Sequence, residues 1–168
     1  MNLRRPIVGV AAALALAAGV LAWQSMATLE PAPEVSYTLL DGSTGSTAAL
    51  KGKVVLVNFW ATSCVTCVKE MPQIVATHNK FKDRNFETIA VAMSYDPPAY
   101  VSKFAQTRQL PFGVAIDNTG QIAERFGDVK LTPTTFLLDQ QGRIVKRYVG
   151  EPDFAALHAL VEDLLKKG

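Results

Sequence analysis

The chain has 168 residues, enough for one domain with a hydrophobic core of ordinary size. Its 17 basic and 15 acidic side chains leave a net charge of +2, and Arg4 and Arg5 account for the whole excess. The remainder is therefore neutral and lacks the basic surface that nucleic-acid binding needs, so we exclude that class of function.

Residues 1–29 have the composition of an export or anchoring segment. Arg4 and Arg5 precede a run of 17 residues from Ile7 to Trp23 without a charged side chain, and a helix that spans a bilayer needs about 17–25 such residues. We favour an uncleaved N-terminal hydrophobic helix that anchors the chain in the inner membrane, with the arginines on the cytoplasmic side. A signal peptide cleaved at the small residues near its end is the alternative. Both interpretations place the following domain in the periplasm or outside the cell.

Residues 30–34, with the sequence EPAPE, predict a stiff, polar linker that holds the domain away from the membrane. The domain itself is expected over residues 35–168. A short strand is predicted over residues 35–40, and Asp41-Gly42-Ser43 is typical of a turn that ends it.

Strand and helix patterns alternate from residue 53 onward, which is typical of an α/β domain. The predicted strands cover residues 53–59, 87–93, 112–116, 134–138 and 143–149. The predicted helices cover residues 64–82, 99–109, 120–126 and 154–165. The last two strands flank Asp139 to Gly142, which favours a hairpin turn. This order predicts a central mixed sheet that begins parallel and ends in an antiparallel hairpin, with helices on both faces.

The two cysteines, Cys64 and Cys67, are separated by two residues. Covalent haem attachment requires a histidine directly after the second cysteine, where this chain has Val68. A structural zinc site needs about four ligands, and only His78 and His158 could add to the pair. We therefore expect neither a metal site nor a cofactor.

The position of the pair favours redox chemistry over a structural disulfide. Cys64 stands where a buried strand ends and a helix begins, so unpaired backbone N–H groups and the helix dipole stabilise a thiolate there. Such positions lower a cysteine pKa from about 8.5 to between ~3.5 and ~7.5. A disulfide across so short a loop would restrict the unfolded chain little, and it would therefore add little stability.

Residues 57–72, VNFWATSCVTCVKEMP, resemble the active-site stretch of the TlpA/ResA/CcmG group of extracytoplasmic thioredoxin-like proteins. Residues 131–137, LTPTTFL, are similar to the proline loop of that family, and the resemblance covers about residues 35–165. It implies a thioredoxin-like fold and a thiol–disulfide oxidoreductase.

The chemistry and the resemblance together assign roles to the site residues. Cys64 would attack the substrate disulfide, and the buried Cys67 would resolve the mixed disulfide. The resemblance implies a cis bond between Thr132 and Pro133, which would lie beside Cys64 and pair with an incoming peptide. Trp60 is expected beside the cysteines as a substrate-binding residue, with a simple core aromatic as an equal alternative.

Glu70 follows Cys67 by three residues and so lies on the same side of the helix. The family has a functional carboxylate at this position, which could exchange a proton with the buried thiol. Asn58 stands where cytoplasmic thioredoxins carry a buried aspartate, and an amide cannot perform that exchange. Without the resemblance, a solvated helix residue would be the simpler interpretation of Glu70.

The resemblance implies a reductase that takes electrons from a membrane thiol carrier of the DsbD or CcdA kind. Its clients would be disulfides of exported proteins, such as apocytochrome c or copper-site proteins. Two departures leave the direction of reaction open: Ser63 replaces the usual tryptophan, and Val65-Thr66 is an unusual intervening pair. The alternatives are an oxidant or isomerase of periplasmic thiols and a non-catalytic Cu(I)-binding thiol module.

Overall fold

The computed structural model describes residues 29–167. Its strands are β1 Ser36–Thr38, β2 Thr44–Ser46, β3 Val54–Trp60, β4 Phe86–Ala92, β5 Gly113–Ile116, β6 Thr134–Leu138 and β7 Ile144–Val149. Its α-helices are α1 Val65–Phe81, α2 Pro98–Arg108, α3 Gln121–Arg125 and α4 Phe154–Lys166, and a short 3-10 turn covers Ala48–Leu50. The predicted N-terminal hydrophobic helix lies outside the described residues. Within residues 29–167, no helix combines the length and the apolar character needed to cross a membrane.

The central sheet has five strands in the order β5-β4-β3-β6-β7. The β3–β4 and β4–β5 pairs are parallel, whereas β3–β6 and β6–β7 are antiparallel. The predicted mixed sheet is therefore confirmed. All seven side chains of β3 are buried, which explains the nearly all-apolar sequence that predicted this strand, since a central strand is covered on both faces.

The two faces of the sheet carry separate apolar clusters because successive side chains of a strand point in opposite directions. Leu56 and Trp60 of β3 belong to the cluster formed with residues of α1, α2 and α4. Val57 and Phe59 belong to the cluster formed with residues of α3 and β1. Helices thus cover both faces, as predicted. Asn58 shares its face with Leu56 and Trp60, and this parity directs its side chain towards α1.

The segment before β3 differs from its prediction. The strand β2 was not expected, because its Thr-Gly-Ser sequence has no apolar alternation, yet it pairs antiparallel with β1. The predicted linker, residues 30–34, is attached to the domain: Ala32 N donates to Gly142 O at 2.8 Å and Ile144 N donates to Glu30 O at 2.8 Å. An edge strand offers unpaired backbone groups, and the start of β7 uses them to hold this segment.

Candidate active site

Cys64 and Cys67 form a disulfide at the point where β3 passes into α1. Cys64 is the N-cap of α1, and its Sγ accepts a hydrogen bond from Cys67 N at 3.1 Å. Its own N–H donates to Ala61 O at 3.2 Å, which closes the turn that leads into the helix. The first cysteine therefore faces the unpaired N–H groups of the helix start, as the sequence predicted.

The two sulfur atoms differ in exposure. Cys64 is partly exposed and its neighbour Val65 is 83% exposed, whereas Cys67 is completely buried. An external thiol or disulfide can therefore reach Cys64 but not Cys67. This difference agrees with the assignment of Cys64 as the attacking and Cys67 as the resolving cysteine.

Thr132 and Pro133 lie at the same end of the sheet as the cysteines. Thr134, the first residue of β6, pairs with Phe59 near the end of β3, so the residues just before β6 adjoin the β3–α1 turn. The Thr132–Pro133 peptide bond is cis, as predicted. Pro133 is buried, and its carbonyl accepts from Gly150 N at 2.8 Å. Thr132 is partly exposed; its role in binding a peptide stays a prediction.

Trp60 lies in the core. Its side chain is completely buried, belongs to the same apolar cluster as Cys67 and Met71, and packs against Phe104 with a ring separation of 5.1 Å. This placement agrees with the alternative expectation that Trp60 is a core aromatic. A role of Trp60 in substrate binding stays a prediction, and a completely buried ring could contribute to it only through its neighbours.

Glu70 is completely buried, so it is not a solvated helix residue. Its Oε1 accepts a hydrogen bond from Asn58 Nδ2 at 3.1 Å, and the same nitrogen donates to Thr135 Oγ1 at 2.9 Å. The three residues belong to α1, β3 and β6. Both hydrogens of the Asn58 amide are thereby used, and the carboxyl group of Glu70 is held against β3.

Burial raises the pKa of Glu70 to about 7, because a charged carboxylate loses its hydration in the core. The hydrogen bond from Asn58 acts in the opposite direction, and the negative charge of Glu151 adds to the rise. Glu151 is itself paired with Lys69, 3.0 Å away. A carboxyl group with this pKa can both accept and release a proton near neutral pH.

Sequence reasoning missed Asp96. Asp96 is 1% exposed, and its two carboxylate oxygens accept from Thr62 N and Thr62 Oγ1, both at 2.5 Å. Its position in the loop shortly after β4 was the available signal, because β4 runs parallel to β3 and ends at the same edge of the sheet as Cys64.

Exposed apolar side chains around the disulfide were also missed. Val65, Tyr95, Tyr100 and Leu131 are between 57% and 83% exposed. Tyr95 Oη lies 3.2 Å from Thr132 Oγ1, and Tyr100 lines a groove together with Thr62. These four residues come from three parts of the chain, with Tyr95 and Tyr100 close together, so no single sequence window indicates that all four surround one site.

A family model described as Redoxin matches residues 28–161. The chain belongs to the Redoxin family. It is 37% identical over 136 residues to the thiol-disulfide oxidoreductase ResA of Bacillus thuringiensis, covering 81% of this chain and 75% of that protein. The ResA of Bacillus subtilis is 34% identical over 119 residues, covering 71% of this chain and 65% of that protein.

The solved structures agree with this membership. A thioredoxin-family thiol:disulfide interchange protein from Chlorobium tepidum superposes with a TM-score of 0.76 at 29% identity, covering 84% of this chain and 99% of that one. The predicted thioredoxin-like fold is confirmed, as is the resemblance to the group that contains ResA. With the Cys64–Cys67 pair, these relationships show that this Redoxin-family member is a thiol–disulfide oxidoreductase.

Proposed function

We propose that this Redoxin-family protein is a disulfide reductase that acts on exported proteins outside the cytoplasmic membrane. Residues 1–29 would hold it at the membrane, and a thiol carrier of the DsbD or CcdA kind would supply electrons. Its clients would be disulfides such as those of apocytochrome c or of copper-site proteins. The observation that carries the proposal is the buried carboxyl group of Glu70, one helical turn from the resolving Cys67.

The first half of the reaction uses Cys64. Its thiolate attacks one sulfur of the client disulfide, a bond forms between the two proteins, and the other client sulfur leaves as a thiolate that takes up a proton. The location of Cys64 at the N-cap of α1 supports this step, because the helix start stabilises the attacking thiolate. The partial exposure of Cys64 gives the client access.

The second half uses Cys67 and Glu70. Cys67 must lose its proton before its sulfur can attack Cys64, and the second client thiolate then leaves and is protonated. Burial makes the ionisation of Cys67 unfavourable, so a proton acceptor nearby would accelerate this step. Glu70 is suited to it, since its pKa of about 7 allows it to accept a proton at neutral pH. The protein is left oxidised, and the client has gained two electrons and two protons.

The reduction potential tests the direction of reaction. We expect equilibration of the full chain with reduced and oxidised thiols to give a value near that of thioredoxin, about −270 mV, or lower. A value close to about −120 mV would identify an oxidant and contradict the proposal. Tight, stoichiometric binding of Cu(I) without turnover of any disulfide would instead favour the thiol module.

Client capture tests the remaining parts of the proposal. In a Cys67→Ser variant the mixed disulfide with Cys64 cannot be resolved, so clients should remain attached and be released by dithiothreitol. The matched control is the Cys64→Ser variant, which lacks the attacking thiol and should trap nothing. We expect exported proteins with disulfides among the captured clients; capture of cytoplasmic proteins alone would contradict the proposed location.

A further inference from the structure

We propose that Asp96 is a positioning residue for thiol–disulfide exchange: its carboxylate fixes the turn that presents Cys64 and opposes formation of the Cys64 thiolate. The effect on the turn and on the thiolate concerns the exchange reaction itself. A further consequence is that Asp96 keeps the reduction potential of the cysteine pair low, and this consequence rests on the proposed function.

The geometry links Asp96 to the turn before the reactive cysteine. Asp96 lies in the loop after β4, and both of its oxygens accept from Thr62, one from the backbone N–H and one from the hydroxyl, each at 2.5 Å. Its own N–H donates to Met93 O at 2.9 Å, which anchors it to the end of β4. Thr62 precedes Cys64 by two residues, so their Cα atoms lie within about 7.5 Å. The carboxylate therefore ties β4 to the turn that carries Cys64.

Other buried aspartates of this domain have a different use. Asp139 accepts from Gln141 N and Arg143 N within its own hairpin, and Asp117 accepts from Ile122 N and Ala123 N at the start of α3. These bonds join residues no more than six positions apart, whereas Asp96 and Thr62 are 34 positions apart. Asp96 is thus not the cap of a local turn.

Within the described part of the chain, no ion pair neutralises the charge of Asp96. No salt bridge formed by residues 29–167 includes it. A carboxylate that accepts two hydrogen bonds carries negative charge, and a negative charge on the order of 10 Å from a thiol disfavours the thiolate. The charge of Asp96 therefore acts against the N-terminus of α1, which stabilises the Cys64 thiolate. A less stable thiolate makes the dithiol state less favourable, and so the reduced protein gives up its electrons more readily.

Further charged groups face the same region. Glu70 and the Lys69–Glu151 pair approach from the side of α1, and Lys103 and Arg108 of α2 line the groove that contains Thr62. All five remain unchanged in the variants described below. A difference between variants therefore reports the change at Asp96.

The test compares Asp96→Asn and Asp96→Glu in the full chain. The measurement is the pH at which alkylation of Cys64 in the reduced protein reaches half its maximal rate, read by mass spectrometry. We expect Asp96→Asn to lower this midpoint by about 0.3 to 1 unit, as removal of one partly screened charge would. The equilibrium constant between the Asp96→Asn variant and glutathione should shift about two- to ten-fold towards the reduced protein. Asp96→Glu keeps the charge and should stay close to the unmodified midpoint.

Asp139→Asn is the matched control. Asp139 is also a buried carboxylate, 4% exposed, but it follows Leu138, which pairs with Val55 at the opposite end of β3. Asp139→Asn should lower stability and leave both the alkylation midpoint and the glutathione equilibrium unchanged. If Asp96→Asn lowered stability in the same way without moving the midpoint, Asp96 would be only structural and the inference would be overturned.

Asp96→Ser provides a second neutral variant if Asp96→Asn does not fold, since its hydroxyl can still accept from Thr62 N. An unchanged midpoint in folded Asp96→Ser would overturn the inference equally. The measurement also separates the two proposals. A wild-type potential near about −120 mV, together with a lowered midpoint in Asp96→Asn, would refute the reductase but leave the role of Asp96 standing.

Discussion

Glu70 shows how surroundings change the chemistry of a single side chain. On an exposed helix surface it would be an ordinary solvated carboxylate, but it is completely buried and receives a hydrogen bond from Asn58. Desolvation has the largest effect on its pKa, raising it from 4.5 to about 7. The group can therefore change its protonation state in the pH range where a thiol–disulfide oxidoreductase works.

Glu70→Gln should slow turnover at and above neutral pH. Proton acceptors of this kind typically contribute about 100-fold or more, and the inflection near pH 7 in the rate of the unmodified protein should disappear in the variant. The measurement is the reductase rate against pH for both proteins. Alkylation of Cys64 serves as the control, since the first step does not need Glu70. Overlapping pH profiles would show that water accepts the proton of Cys67.

The same side chain should make stability depend on pH. Because the folded-state pKa of about 7 exceeds the ordinary value of 4.5, the folded protein binds more protons in this interval, and stability falls as pH rises through it. The full difference is roughly 3 kcal/mol, present below about pH 4.5 and lost above about pH 7. Urea unfolding of the oxidised protein should show this fall, and Glu70→Gln should remove it. A fall of equal size in the variant would assign it to other groups.

The two cysteines should differ in reactivity. Cys64 is partly exposed at the start of α1 and Cys67 is completely buried, so a sub-stoichiometric amount of iodoacetamide at neutral pH should label Cys64 first. Peptide mapping of the reduced protein measures this. Predominant labelling of Cys67 would reverse the assigned roles of attacking and resolving cysteine.

At the scale of elements, helix ends determine where the functional groups stand. Cys64 caps α1 with a sulfur atom, and Asp153 caps α4 with a carboxylate that accepts from Ala155 N and Ala156 N. Leu157 and Val161 of α4 are completely buried in the cluster that contains Cys67. The α4 cap therefore supports the apolar surroundings of Cys67 from a distance.

Asp153→Ala should lower the free energy of unfolding by about 1 kcal/mol, the usual cost of losing an N-cap. Asp153→Ser keeps an acceptor for the same N–H groups and should recover most of the loss. Urea denaturation measures both variants, and the turnover rate should be unchanged because Asp153 caps α4 and has no part in the proposed exchange reaction. A stability equal to that of the unmodified protein would show that solvent replaces the cap.

At the scale of the whole molecule, the N-terminal segment belongs to the domain from about residue 30. Besides its bonds to the β6–β7 hairpin, this segment is held by Thr47, whose Oγ1 donates to Pro33 O at 2.8 Å and accepts from Val35 N at 3.0 Å. Residues 30–35 thus close an edge of the sheet rather than form a free spacer.

A chain that starts at Leu29 should fold, stay soluble and reduce insulin at close to the rate of the full chain, because the catalytic groups lie within the described domain. A chain that starts at Ser36 loses the hydrogen bonds of residues 30–35 and should unfold at lower urea concentration, with a loss of about 2 to 4 kcal/mol from several bonds. Equal stability of the two chains would contradict the proposed contribution of this segment. If the chain that starts at Leu29 failed to fold, residues 1–28 would be needed for folding.

The sequence by itself predicted the mixed sheet, the four helices and the place of Cys64 at a helix start. Each depends on local signals: β3 is almost entirely apolar because it is central, and Cys64 lies where that strand pattern meets a helical pattern. The cis bond at Pro133 was accessible only through family resemblance, because a Thr-Pro pair alone favours the trans form.

The tertiary structure decided which polar groups meet inside the domain. Glu70, Asn58 and Thr135 come from three elements, and their hydrogen bonds depend on the β3–β6 register and on the packing of α1. Asp96 reaches Thr62 only because β4 ends beside β3 at the same edge. Burial and long-range pairing are properties of the assembled sheet, so the spacing of residues along the chain does not encode the elevated pKa of Glu70 or the contact that holds the turn of Cys64.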